Sequence, residues 1–166
     1  MFYKISDFEI NWKIESDLTI KTFSNLTDES LDFKIHPKIR SIGVLVWHIV
    51  RAIPEMMNNV GINIDAVKED DPIPKSVKNI CDIYKSASDE MIQKILAAWK
   101  DENLFDVITL YGEKWERGFV LQVLLFHQIH HRAQLTVLMR QADLIVQGTY
   151  GPTLEEWAEI EMPPQE

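Results

Sequence analysis

The sequence predicts a mostly α-helical protein whose long helices pack as a four-helix bundle. Its long segments repeat apolar residues three and four positions apart, which is the spacing of one helix face. Only six glycines occur among 166 residues, and the residues that break the pattern cluster between the long segments. Hydrophobic residues make up 46% and charged residues 26% of the chain, as in globular proteins. We therefore expect one all-α domain over residues 1–166.

The first helix is predicted over residues 7–25, with Asp7 as its N-cap. Its inward stripe is expected to combine apolar and polar side chains: Phe8, Trp12, Ile14, Glu15, Leu18, Thr19 and Phe23. The polar stretch 25–30 and the step from His36 to Pro37 then interrupt the helical pattern.

A second helix is predicted to begin after Ser41, a good N-cap residue, and to run to about Val60, just before Gly61. Pro54 lies inside it and is expected to kink it. Residues 61–74 contain two prolines and adjacent acids, so they predict an exposed crossover loop between the second and third helices.

The third helix is predicted over residues 76–100. One side of it collects apolar residues: Ile80, Ile83, Tyr84, Ala87, Met91, Ile95 and Ala98. Residues 104–119 contain a short alternating piece that fits either a small hairpin or an irregular loop. The fourth helix has the clearest pattern, over residues 116–142. Four helices with one long crossover favour a four-helix bundle.

The charge and the single cysteine argue against several classes of protein. A formal net charge of −9, with no Lys/Arg-rich segment, argues against binding nucleic acid or an anionic membrane surface. Cys81 has no second cysteine with which to form a disulfide. The first ten residues include acids where a signal peptide needs an apolar run, and no stretch of about 18 apolar residues occurs. We therefore expect a cytoplasmic protein.

Two histidines of the fourth helix point into its apolar stripe. At about 100° per residue, His127 and His131 lie about 40° apart, on the same side as Leu124 and Leu135, whereas His130 lies on a flank. Burying imidazoles among leucines is unfavourable unless their nitrogens are satisfied. A hydrogen bond across the core, or a wet cleft, explains a single such histidine well. For a pair at this spacing a shared metal ion is an equally good explanation.

His48 is the best third ligand, because the second helix places it on an apolar face. Three protein ligands with one position left for water are typical of a catalytic metal site. Glu55, seven residues after His48, would close the site if it were a fourth ligand, but a solvated carboxylate at the rim is the expected role. His36, beside Pro37, is expected at the surface.

Three segments resemble the DinB/YfiT-like proteins: Arg40–His48, His127–Thr136 and Tyr150–Thr153. Any one of them is a weak signal, but together they occur in the order and spacing of that family. The resemblance spans nearly the whole chain.

The resemblance implies an up-down-down-up four-helix bundle, usually dimeric, with a divalent ion such as zinc or nickel. The family's ligand positions correspond to His48, His127 and His131. Ala133 replaces a frequent glycine of the family, and Asp143 stands where glycine often ends the helix. Both departures concern helix packing and termination rather than the ligands.

Relatives with known activity resemble thiol transferases or isomerases that use a low-molecular-weight thiol. Our first hypothesis is therefore a metal-dependent thiol S-transferase, or a related hydrolase, acting on a small molecule. His130, Arg132 and Gln134 are candidates for positioning an anionic cosubstrate or supporting the ligands. The alternative is a non-catalytic, metal-stabilised interaction protein.

A homodimer is also expected, because the fourth helix is apolar on the side away from its histidines. This outer face consists of Phe126, Ile129, Ala133 and Val137. Either a partner subunit or the C-terminal segment around Trp157 would cover it.

Overall fold

The computed structural model describes residues 1–68, 70–160 and 163. Its elements, in chain order, are α1 (Ile5–Phe23), α2 (Ile42–Asn59), α3 (Val77–Ala98), β1 (Val107–Leu110), β2 (Glu113–Glu116), α4 (Arg117–Gln141) and α5 (Leu154–Glu159). Short 3-10 turns lie at Glu29–Asp32 and Asp101–Phe105. The protein is therefore mostly helical, and the small sheet corrects the all-α prediction.

The four long helices pack around one hydrophobic core. Helix α1 contacts α3 and α4, and α2 contacts the same two helices. The largest fully buried side chains are aromatic, those of Trp12, Tyr84, Phe8 and Phe23. The histidine segments therefore face each other across the contact between α2 and α4.

Helix α1 begins differently from the prediction. It starts at Ile5 with Lys4 in the N-cap position, so Asp7 lies inside the first turn. The backbone N–H of Ile5 donates instead to Asp101 Oδ1 at 2.9 Å, across 96 positions of sequence. The distant Asp101 carboxylate thus accepts a hydrogen bond from a helix-end N–H group that a local N-cap side chain would otherwise satisfy. Ile14 is exposed, contrary to its predicted place in the inward stripe.

Helix α2 follows the prediction at both ends. Ser41 Oγ accepts a hydrogen bond from the Val44 N–H at 3.3 Å, as an N-cap side chain does. After the helix ends, Gly61 has a φ of +88°, a conformation that glycine adopts without steric cost. The helix continues through Pro54.

The crossover between α2 and α3 is less exposed than predicted. Ile62, Ile64 and Val67 are buried against the core. Burying a loop requires partners for its backbone polar groups. The Glu90 carboxylate supplies them by accepting hydrogen bonds from two successive backbone N–H groups, those of Asp65 and Ala66.

Residues 107–116 form an antiparallel hairpin, which decides between the two alternatives for this region. Val107 pairs with Glu116, and Leu110 pairs with Glu113. The two residues between the strands, Tyr111 and Gly112, have φ values of 52° and 82°. Positive φ at both central residues is typical of the two-residue turns that match strand twist.

Within the described residues, no helix is long and apolar enough to cross a membrane.

Candidate metal centre

Helices α2 and α4 bring together the three histidines predicted as ligands. His48, His127 and His131 each offer a ring nitrogen, and these nitrogens lie within 4.8 Å of one another. The ring centroids are 4.3–4.8 Å apart. His48 Nε2 and His131 Nε2 are separated by 3.2 Å. His131 is buried and the other two are half-buried.

Gln134 orients the His131 ring. Its Oε1 lies 2.8 Å from His131 Nδ1, and its Nε2 lies 3.0 Å from His130 Nε2. An amide oxygen can only accept, so His131 donates through Nδ1–H and is left with a lone pair on Nε2. That lone pair is on the nitrogen nearest His48. Gln134 therefore lies where it could support His131, and His130 lies behind it at the surface.

The environment keeps these imidazoles neutral near pH 7. Burial lowers the pKa of His48 to about 4, and the positive charge of Arg40 acts in the same direction. Burial also lowers the pKa of His127 to about 4, with the neighbouring His131 and His48 rings contributing. Neutral imidazole is the form that binds metal, because its free nitrogen carries the lone pair.

The three donors could hold a divalent ion. In a tetrahedral site with metal–nitrogen distances of about 2.0–2.1 Å, two ligand nitrogens lie about 3.3 Å apart, close to the 3.2 Å between His48 and His131. His127 Nδ1 is buried and has no hydrogen-bond partner among the described residues. An unsatisfied ring nitrogen in such a place is costly unless something binds it.

A cavity of about 630 Å³ opens beside His48. One face of α2 contributes much of its wall: Val44, Trp47, His48, Arg51, Pro54, Glu55, Asn58 and Asn59. A volume of this size is ordinary for a small-molecule site. The second face of α2 packs into the core, so the helix separates the core from the cavity.

Glu55 lies in the cavity wall but outside the histidine group. Its Oε1 accepts a hydrogen bond from the Tyr111 hydroxyl at 3.0 Å. Burial and the neighbouring carboxylate raise the pKa of Tyr111 to about 12. In the described part of the chain, no carboxylate or thiol joins the three histidines as a fourth candidate ligand.

Arg132, the remaining predicted residue, lies in the core. Its guanidinium forms a 2.6 Å ion pair with Glu15 and donates to Glu15 O and Thr19 Oγ1. The Tyr150 hydroxyl donates to the same carboxylate, which fastens the C-terminal segment to α1. The structure therefore gives Arg132 a carboxylate partner that links α4 to α1. His36 is exposed, as predicted.

Arg40 and Arg51 also lie in the cavity wall. Neither was predicted from the sequence as a functional residue. Arg51 follows His48 by three positions, so helical spacing alone could have placed it on the same face. Arg40 lies before the helix, and its position beside the cavity depends on how the preceding loop folds. Glu15 was recognised as an inward residue, but its pairing with Arg132 spans 117 positions of sequence.

Fold and site together define a helical protein with a three-histidine group that could hold a metal ion. The DinB family profile matches residues 1–165. The chain is 41% identical over 160 residues to the uncharacterized protein YrdA of Bacillus subtilis, covering 96% of both chains. The chain belongs to the DinB family.

Solved structures of DinB-like proteins have the same fold. One from Bacillus cereus is 37% identical, with a TM-score of 0.85, and the match covers 90% of this chain and 100% of that one. The DinB-like protein YjoA of Bacillus subtilis matches with a TM-score of 0.69 and 18% identity, over 89% of this chain and 99% of that one. The second likeness supports the fold alone.

Proposed function

We propose that this protein is a metal-dependent enzyme that activates a small-molecule thiol, a thiol S-transferase whose divalent ion is held by His48, His127 and His131. The observation that carries the proposal is the meeting of three histidine donors, one of which, His48, lines a cavity of about 630 Å³. Zinc or nickel is the expected ion, since imidazole ligands suit both.

The composition of the ligand group favours catalysis over a purely structural ion. Structural zinc sites are closed by four protein ligands, whereas catalytic sites have three and leave a position for substrate. Glu55, the residue that could have closed the group, is hydrogen-bonded to Tyr111 instead. A non-catalytic, metal-stabilised protein would not need the adjoining cavity.

The chain's own residues prepare the site. Gln134 fixes the tautomer of His131, and burial keeps His48 and His127 unprotonated near neutral pH. A bound divalent ion would supply a Lewis acid that lowers the pKa of a coordinated thiol or water. The cavity wall of α2 would bind and orient the rest of the substrate. A hydrolase is the second candidate, because the same centre can activate water.

Metal analysis of a His131→Ala variant tests the centre. We expect wild-type protein to hold about one divalent ion per chain and the variant to lose it, because two imidazoles remain where three are needed. His36→Ala is the matched control, since that histidine is exposed and outside the group. Equal metal content in wild type and His131→Ala would refute the ligand assignment.

A thiol titration then separates the two reactions. With Co(II) in the site, a coordinated thiol produces a sulfur-to-metal charge-transfer band that water does not. We expect this band with a neutral thiol such as 3-mercaptopropanol. A Co(II) protein that binds no thiol but hydrolyses esters would reject the transferase in favour of the hydrolase.

We further propose that the chain acts in the cytoplasm as a homodimer, with its four long helices in the up-down-down-up order. The outer face of α4 supports the dimer. Phe126 and Val137 are 56% and 58% exposed, so the described C-terminal residues leave both side chains open to solvent. Exposed large apolar side chains along one helix face are typical of a surface that another subunit covers.

A further inference from the structure

We infer that Arg40 and Arg51 form an anion-binding subsite beside the metal centre, so that the substrate carries a carboxylate or another oxyanion. The inference rests on the proposed function, because it describes the substrate of that same centre. Both arginines line the cavity into which His48 also faces.

The pairing of the five arginines singles out these two. Arg117, Arg132 and Arg140 each form an ion pair with a carboxylate, those of Asp106, Glu15 and Glu155 respectively. Among the described residues, neither Arg40 nor Arg51 has a carboxylate within ion-pair distance. Within the described structure, the two guanidinium groups without a carboxylate partner are thus the two that line the cavity.

The carboxylates of the cavity wall are already engaged. Glu55 Oε1 accepts a hydrogen bond from the Tyr111 hydroxyl at 3.0 Å, and Asp71 Oδ2 accepts one from the Lys68 backbone N–H at 2.8 Å. Neither forms an ion pair with a cavity arginine in the described structure. The two guanidinium groups are therefore available to a ligand.

Charge balance at the centre points the same way. Arg40 and Arg51 both act electrostatically on His48, which lies three positions before Arg51 on α2. The two guanidinium charges of the wall are balanced by the carboxylates of Glu55 and Asp71. Three neutral imidazoles would leave the charge of a divalent ion uncompensated, so the region would be net positive with the ion bound. A ligand with an anionic group would neutralise this region, and planar guanidinium groups bind carboxylates and phosphates through paired hydrogen bonds.

Paired thiols that differ only in charge test the subsite on the Co(II)-loaded protein. We expect 3-mercaptopropionate to bind at least tenfold more tightly than neutral 3-mercaptopropanol, because only the former gains charge-assisted hydrogen bonds. Arg51→Gln and Arg40→Gln should each remove most of this preference while leaving the neutral thiol unaffected. Arg51→Lys should retain part of it. Lys34→Gln, which removes an exposed charge of the preceding loop outside the cavity wall, should retain all of it.

A second measurement requires no thiol. In zinc-loaded protein, succinate and inorganic phosphate are titrated separately while the arginine Nε–H signals are followed by NMR. We expect one or both anions to shift the signals of Arg40 and Arg51, and either Arg→Gln change to weaken that binding at least fivefold. Succinate alone would identify a carboxylate, and phosphate alone a phosphate ester.

The outcomes separate the two proposals. Failure of both thiols to bind cobalt, with anions still shifting the arginine signals, would refute the thiol reaction and support the subsite. Equal affinity for the two thiols, with no anion effect on the arginines, would overturn the subsite and leave the thiol reaction standing. A charge preference that persists in both Arg→Gln variants would also overturn it.

Discussion

The ion pair between Glu15 and Arg132 gives a quantitative prediction about stability. Its side chains are only 9% and 3% exposed, and the charged atoms lie 2.6 Å apart. Glu15→Gln keeps the shape of the side chain and removes the charge, which leaves the buried guanidinium uncompensated. Removing one partner of a buried pair costs about 3–5 kcal/mol.

The structure places Glu15→Gln near the lower end of that range. Arg132 Nη1 still donates to the Glu15 backbone carbonyl at 3.0 Å and to Thr19 Oγ1 at 3.2 Å, so only part of its solvation is lost. A cost of about 3 kcal/mol corresponds to a melting temperature lower by roughly 6–12 °C for a domain of this size. Tyr150→Phe removes a hydroxyl but no charge, so we expect about 1 kcal/mol.

The assay is urea unfolding of metal-free protein, followed by circular dichroism, since bound metal would add its own free energy to the folded state. Asp82→Asn is the matched control. It removes the carboxylate of an exposed pair with Lys78, whose side chains are 62% and 81% exposed, and we expect no resolvable change in the midpoint. If Glu15→Gln were as mild as Asp82→Asn, the reasoning that a buried charge depends on its partner here would be refuted.

Two further predictions concern pH and assembly. Folding lowers the pKa of His48 and His127 from 6.5 to about 4, so the unfolded chain binds more protons between these values. Metal-free protein should therefore have full stability above pH 6.5 and lose it as the pH falls toward 4, and replacing both histidines with glutamine should flatten this loss in urea titrations. An unchanged slope would contradict the assignment. In sedimentation at micromolar concentration, we expect the wild-type protein to be a dimer. Phe126→Lys or Val137→Lys should convert it to a monomer. Ile10→Lys, on the exposed face of α1, should leave it dimeric. A wild-type monomer would refute the dimer.

The sequence determined most of what depends on helical periodicity. It predicted the four long helices, the Ser41 cap and the inward direction of His127 and His131, because residues three and four apart on a helix share a face. Periodicity also gave His48 as a candidate third ligand. These features depend on neighbouring residues, so a single chain reveals them.

Other features depend on residues that meet only in the folded chain. Asp101 caps α1 in place of Asp7, and no local sequence pattern indicates a hydrogen-bond partner 96 positions away. The hairpin over 107–116 was one of two alternatives, because four-residue strands carry little periodic signal.

Some features of the candidate site were likewise predictable from the sequence, and others only from the folded chain. The sequence supplied its three histidines and Gln134, since short helical spacings relate three of these four residues. Only the tertiary structure showed that Glu55 is bound to Tyr111 and that Arg132 belongs to Glu15. It also showed that Arg40 and Arg51, which form no ion pair with a described residue, line a cavity beside His48. Helix periodicity was therefore enough to predict the candidate ligands. The charged groups that line the cavity depended instead on how loops and helices pack in the folded chain.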